Sequence, residues 1–153
     1  MSNKHCEQLQ ELAREHQEAL DFAERIANLA DDDSRDSLEE GVRLVHDYYY
    51  DELEEHLQHE EQTMFAALLE HGKEHLPLCM QLGKEHGLLR TLAPAMRLET
   101  APRDLPEFAA ILRRHTLFED EHFLPLVESL FTPEQLERVM SFKPQGTLPR
   151  RPE

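Results

Sequence analysis

Hydrophobic positions along the chain recur at threes and fours over four long stretches. That is the spacing of one helix face; a half-buried strand would alternate. In the first stretch Leu9, Leu12, His16, Ala19, Leu20, Ala23, Ile26 and Ala27 share a stripe, which predicts a helix from about Lys4 to Ala30. The polar run DDDSRDS then interrupts the pattern. Ser37 with Glu40 offers a capping box for a second helix. It runs to about Glu70 through Val42, Val45, Tyr49, Leu53, His56, Glu60, Met64 and Leu68. HGKEHLP reads as a turn, with Gly72 near one helix end and Pro77 near the next start. The third helix is expected over Leu78–Ala93, with Leu78, Leu82, His86, Leu89 and Ala93 inward and Pro94 ending or kinking it. ETAPRDLP is a loop, from which Asp104 caps a fourth helix with Pro106 in its first turn. Phe108, Ile111, Leu112, His115, Phe118, Glu119, His122 and Leu126 mark that helix, and Pro125 is a candidate kink. Thr132-Pro133-Glu134-Gln135 opens a short fifth helix ending near Phe142. The expected fold is all-α: an up-down-up-down four-helix bundle with a short C-terminal helix. One domain spans 1–142, and 143–153 is expected to be a disordered tail.

Composition narrows the partners. Five Gly and no Trp among 153 residues, with 31% charged, agree with helices over sheet. A net charge of −16 argues against nucleic acid and against an anionic membrane surface. No apolar run approaches the ~20 residues of a membrane span, and the polar start MSNKHCEQLQ lacks a signal-peptide core. Cys6 and Cys79 are too few for a disulfide framework; both read as structural, and a reducing cytoplasm is the expected compartment. No self-complementary apolar stripe stands out, so the oligomeric state is open.

Ten His residues are the oddity, and four of them fall in a pattern. Residues 56–68 read HLQHEEQTMFAAL and residues 115–127 read HTLFEDEHFLPLV. Both fit His-x-x-x-Glu-(Glu/Asp)-x-x-(Met/Phe)-(Phe/Leu)-(Ala/Pro)-x-(Leu/Val). His56 and Glu60, like His115 and Glu119, stand at i and i+4, which puts an imidazole and a carboxylate one turn apart on one face. His16 and His86 occupy the inward stripes of the other two helices. Six polar residues, His16, His56, Glu60, His86, His115 and Glu119, thus stand where packing alone would place Leu. A buried His or Glu costs several kcal/mol unless paired or ligated, so a collective partner is called for, and a metal is the economical one. Imidazole with carboxylate suits iron, manganese or zinc; the lack of thiolates argues against an iron–sulfur cluster. Two carboxylates among four His suit two metals bridged by Glu60 and Glu119.

The pieces REH ending at His16, His56-LQH-Glu60-Glu61 before Met64-Phe65, MQLGKEH ending at His86, and His115-TLF-Glu119-Asp120 before Phe123-Leu124-Pro125 together carry a resemblance. Over roughly residues 9–130 the chain resembles the hemerythrin family, in its HHE cation-binding branch. That resemblance implies a four-helix bundle around a non-haem, oxo- or hydroxo-bridged centre of two iron ions. Its implied ligands are O2, NO or peroxide. The oxygen carriers of the family place two His one turn apart on the third helix; here Leu82 stands one turn before His86. The carriers also use the carboxylate spacing that Asp120 fills. Glu119 is preferred because it mirrors Glu60 and shares the face of His115, whereas Asp120 is rotated by about 100°.

Weaker candidates are His122, a neighbouring partner of the site or the missing ligand; Tyr49, a core aromatic able to hydrogen-bond towards the site; and Glu61, read as solvated. His59, His71 and His75 are read as surface residues, and His5 and His46 carry no signal. Three functions fit. The first is a di-iron protein that binds or senses O2, NO or reactive oxygen species. The second is an enzyme of peroxide or NO detoxification, or of iron–sulfur cluster repair; repair proteins of this kind usually carry paired N-terminal cysteines, which Cys6 alone does not supply. The third is an iron-storage or interaction module stapled by metal. Zinc or manganese could replace iron in recombinant material.

Overall fold

A computed structural model describes residues 6–143 and 148–152. Among them are five helices and no strand, an all-α bundle. A 3-10 turn, Glu7–Leu9, leads into α1 (Gln10–Asp32); Lys4, the expected start, lies outside the described residues. Helix α2 covers 35–70, as α-helical segments Arg35–Tyr48, Glu54–Glu60 and Ala66–Glu70 joined by π-turns Tyr49–Leu53 and Glu61–Phe65. A second 3-10 turn, Lys73–His75, precedes α3 (Leu76–Ala95). Helix α4 covers 101–130, as Ala101–Phe118 and Leu124–Leu130 around a π-turn, Glu119–Phe123. Helix α5 (Pro133–Met140) closes the order. None of the helices is long and apolar enough to cross a membrane.

Several boundaries differ from expectation. The break after α1 shrinks to Asp33 and Ser34: Asp33 turns left-handed (φ 60°), its N–H reaching the Leu29 carbonyl, and the Ser34 side chain accepts the Ser37 N–H at 3.1 Å. Ser34 is therefore the cap, and Ser37 lies inside the first turn. Pro94 stays within α3, because the helix ends one residue later. Helix α4 starts at Ala101, ahead of Asp104, since Pro102 fills its first turn where no N–H is required. Pro125 produces a π-turn just ahead of it: lacking an N–H, and with a ring that crowds the preceding turn, it disrupts the regular ladder there. Helix α5 ends at Met140, with Thr132 and Gln135 forming its capping box.

The short connections turn each long helix back along its predecessor. Gly41 marks the close approach of α2 to α4, since a Cβ there would stand 2.6 Å from Leu105 Cδ1. The apolar interior falls into two clusters. One holds Ala19, Ala23, Ile26, Val45, Leu53, Leu57, Leu89, Ala93, Phe108 and Leu112. The other holds Leu9, Leu12, Met64, Leu68, Leu82, Phe123, Leu124 and Val127, with Val139 of α5 sealing that end. On every long helix the expected polar residues fall between members of the two clusters: His16 between Leu12 and Ala19, Glu60 between Leu57 and Met64, His86 between Leu82 and Leu89, and His115 with Glu119 between Leu112 and Phe123. A polar layer therefore splits the core in two.

Candidate metal centre

All six sequence-predicted residues meet in this layer. Five are buried, and His56 is half-buried. They form two overlapping sets, His16, His56, Glu60 and Glu119, and Glu60, His86, His115 and Glu119. Within each set the four ligand atoms lie within 4.8 Å of one another, so each could hold a cation. Glu60 and Glu119 belong to both. The internal repeat has a backbone counterpart: the π-turn Glu61–Phe65 follows Glu60, and the π-turn Glu119–Phe123 begins at Glu119. Such turns rotate the chain beyond the ligand pair, and they concentrate at functional sites.

The four imidazoles are oriented alike. Each turns Nε2 to the shared carboxylates. His16 Nε2 stands 3.3 Å from both Glu60 Oε2 and Glu119 Oε1. The distance to Glu60 is 3.2 Å for His56 Nε2 and 3.0 Å for His86 Nε2, and His115 Nε2 stands 3.2 Å from Glu119 Oε1. Each Nδ1 pairs with a second carboxylate. His56 pairs with Glu15 (3.1 Å), His86 with Glu61 (2.7 Å), His115 with Glu85 (2.7 Å) and His16 with Asp120 (2.7 Å). These four links form a ring. Glu15 of α1 holds the histidine of α2, Glu61 of α2 that of α3, Glu85 of α3 that of α4, and Asp120 of α4 that of α1. Each supporting carboxylate is the sequence neighbour of a residue in the central layer, and it reaches across to the next helix.

The ring fixes the protonation logic. A carboxylate at Nδ1 makes that nitrogen the donor and leaves Nε2 to face the centre. Burial opposes imidazolium in all four residues. The facing carboxylates outweigh it, so the His56 pKa is raised to about 9, that of His115 to about 10, and those of His16 and His86 above the ordinary range. Glu60 goes the other way. Burial would raise it, but His56, His16 and His86 hold it well below the usual carboxylate range. Among the described residues two buried side-chain atoms lack any hydrogen-bond partner, His115 Nε2 and Glu119 Oε2. The 3.2 Å approach of His115 to Glu119 has ion-pair distance without hydrogen-bond alignment. Orphaned buried atoms of this kind call for a partner, and a cation between them answers both.

A second network backs His86. Arg90 donates to both oxygens of Glu61 (2.7 and 2.9 Å) and to both of Glu54 (2.7 and 2.8 Å), and Tyr49 donates to Glu54 at 2.9 Å. Tyr49 is thus a core aromatic linked to the centre through Glu54, Arg90 and Glu61. Sequence reasoning did not find Glu15, Glu85, Glu54 or Arg90. The signal for two of them was present in REH and KEH, where a glutamate precedes each of His16 and His86.

Other candidates fall elsewhere. Asp120 supports His16 from Nδ1 and does not join either set. Glu61, read as solvated, holds His86. His122 is exposed near Glu121, because the π-turn at 119–123 rotates it off the face of His115. His59 is no surface residue: its ring bonds the Val139 carbonyl (2.6 Å) and stacks on Phe142. His71 bonds Gln135 and stacks on Phe131, so α5 covers both histidines. His75 is half-buried, 3.7 Å from Glu74. His46 bonds the Met96 carbonyl (2.9 Å), and His5 lies outside the described residues. Leu82 is fully buried among Leu9, Leu12 and Phe123, so the turn before His86 offers the layer an apolar wall in place of a ligand.

A family model described as the Hemerythrin HHE cation binding domain matches residues 8–127. Nothing among curated proteins or solved structures matches the chain.

Proposed function

The chain belongs to the hemerythrin HHE cation-binding domain family, and on that premise we propose that it holds two iron ions in the polar layer and binds or senses a small ligand there. The ligand class is O2, NO or peroxide. One observation carries the reading: two four-residue sets share Glu60 and Glu119. A shared pair of carboxylates between two pairs of imidazoles is the donor set of a dinuclear centre in a helical bundle. Nitrogen and oxygen donors without thiolate fit iron and also accept manganese or zinc. His16 and His56 would hold one ion, His86 and His115 the other, and Glu60 and Glu119 both. When bound, the metal pair supplies redox chemistry and Lewis acidity.

The chain's own residues do the rest. Glu15, Glu61, Glu85 and Asp120 fix each ring and strengthen it as a donor. Arg90 orients Glu61 behind His86. The two apolar clusters keep water from the layer on both sides, which strengthens every interaction inside it. Four protein donors per ion, two of them shared, leave room for an outside ligand, and Leu82 adds none. That room favours binding or sensing over a purely structural metal, whose sites are usually saturated. Cys6 and Cys79 are free thiols, which suits a cytoplasmic location.

The test is metal content per chain by elemental analysis after expression with iron and purification without chelator, with absorption spectra of the oxidised protein. About two irons per chain and oxo-bridge bands support the reading. His56→Ala should lose iron; full iron occupancy in that variant would overturn the assignment.

A further inference from the structure

A cleft of about 260 Å³ opens between α1, α2 and α4. His56 and His115 line it, and both belong to the polar layer. Towards solvent its lining carries Glu15, Glu18, Asp51, Glu52 and Glu55 with Arg14, which pairs with Glu18, while Arg151 reaches Asp51 from outside the lining. The cleft thus joins an acidic surface to the candidate centre. We infer that it is the loading route by which a divalent metal cation reaches the layer, its acidic mouth drawing the ion in and His56 and His115 receiving it.

Two observations support the inference independently of the acidity. His115 is 2% exposed and its Nε2, which faces Glu119 in the polar layer, has no hydrogen-bond partner, so a residue of the lining carries a buried, unpartnered nitrogen at the inner end of the path. His56 is the one imidazole of the four that is half-buried, which places it nearest to solvent along this path. The acidity of the mouth already holds a cation of the chain: Arg151 pairs with Asp51 of the lining (3.1 Å) and with Asp47 beside it (2.9 Å). The local potential is negative on a further count. The Glu52 carboxyl is raised by burial and then by the charges of Glu18, Asp51 and Glu15. Neighbouring carboxylates that destabilise each other's charge are stabilised by a passing cation. In a cleft with apolar walls such a field raises the rate of encounter by about 10- to 1,000-fold and fades with salt. Leu53, Leu57 and Leu112 supply those walls.

The inference rests on the metal-binding reading above, and one experiment separates the two. Apoprotein of full length is mixed with Co²⁺ in a stopped-flow instrument, and the cobalt absorption bands are followed at low ionic strength and in about 0.3 M salt. The wild type is compared with the triple variant Glu18→Gln, Asp51→Asn, Glu52→Gln. A control variant, Glu99→Gln, Glu107→Gln, Glu137→Gln, removes the same charge from surfaces away from the cleft. At low salt the cleft variant should load at least about fivefold more slowly, the control should load at nearly the wild-type rate, and the difference should shrink with salt. The final stoichiometry should be the same in all three, and helicity by circular dichroism should match. If wild type binds no cobalt, the metal-binding reading falls and this inference with it. If all three bind cobalt and the cleft variant loads at the wild-type rate, or no more slowly than the control, the route is wrong and the metal centre stands.

Discussion

Loading the centre with metal should expel protons, and the number can be worked from the ring of carboxylates. Coordination requires Nε2 of each imidazole to be free of its proton, while Nδ1 keeps the proton it donates to Glu15, Glu61, Glu85 or Asp120. In the metal-free protein His56 titrates at about 9 and His115 at about 10, because their facing carboxylates overcome the cost of burial. At pH 8 a group at about 9 keeps roughly 0.9 of its proton and one at about 10 roughly 0.99, against roughly 0.03 for an ordinary imidazole. These two residues alone therefore release about two protons, and His16 and His86, also raised, add to them. Glu60 adds none, because it is already ionised. The assay is titration calorimetry with Mn²⁺, a weak Lewis acid, in several buffers of different ionisation enthalpy at pH 8. The slope of apparent heat against buffer enthalpy is the proton count. His115→Ala should lower it by about one. A count below about one in the wild type would refute the reasoning, since it would mean that the rings enter the complex already neutral.

Metal-free protein should lose stability as the pH rises. The His56 and His115 pKa values are raised, so their contribution is complete below pH 6.5 and is lost as the pH passes about 9 to 10. Thermal melts of apoprotein at pH 7 and pH 10 should show the fall, and metal-loaded protein should show much less of it. Glu85→Gln removes the charge behind His115 while leaving the six central residues in place; metal affinity should weaken about 10- to 100-fold, read by competition with a chelator. Arg90→Ala strands Glu54 and Glu61. Because Arg90 is itself 30% exposed, the cost should be about 2 kcal/mol in urea denaturation, below the full penalty for a buried pair. Leu89→Ala empties a fully buried position and should cost about 2–5 kcal/mol by the same measurement.

Periodicity fixed the helices and the six inward polar residues, because side-chain direction on a helix follows from spacing alone. His56 with Glu60 and His115 with Glu119 share a face at any backbone geometry close to α. The stripes of all four helices could be read in the same way, so the bundle and its polar layer were legible before any coordinates, although Ala27 of the first stripe faces solvent. Boundaries were less so. A cap is a competition among nearby residues, and Ser34 won over Ser37 because Asp33 could turn left-handed just before it. Only the tertiary structure decided which carboxylate serves which histidine. Glu15 stands beside His16 in sequence and holds His56; Glu85 stands beside His86 and holds His115. Neighbouring residues on a helix point about 100° apart, so a residue next to a ligand faces the next helix, and which helix that is depends on packing. The π-turn Glu119–Phe123 acted in the same way on His122. One extra residue within a turn rotates all that follows, and no local pattern announced it at Tyr49 or Glu61. Position along each helix came from the sequence; the pairing of helices, the ring it closes and the cleft that reaches it came from the fold.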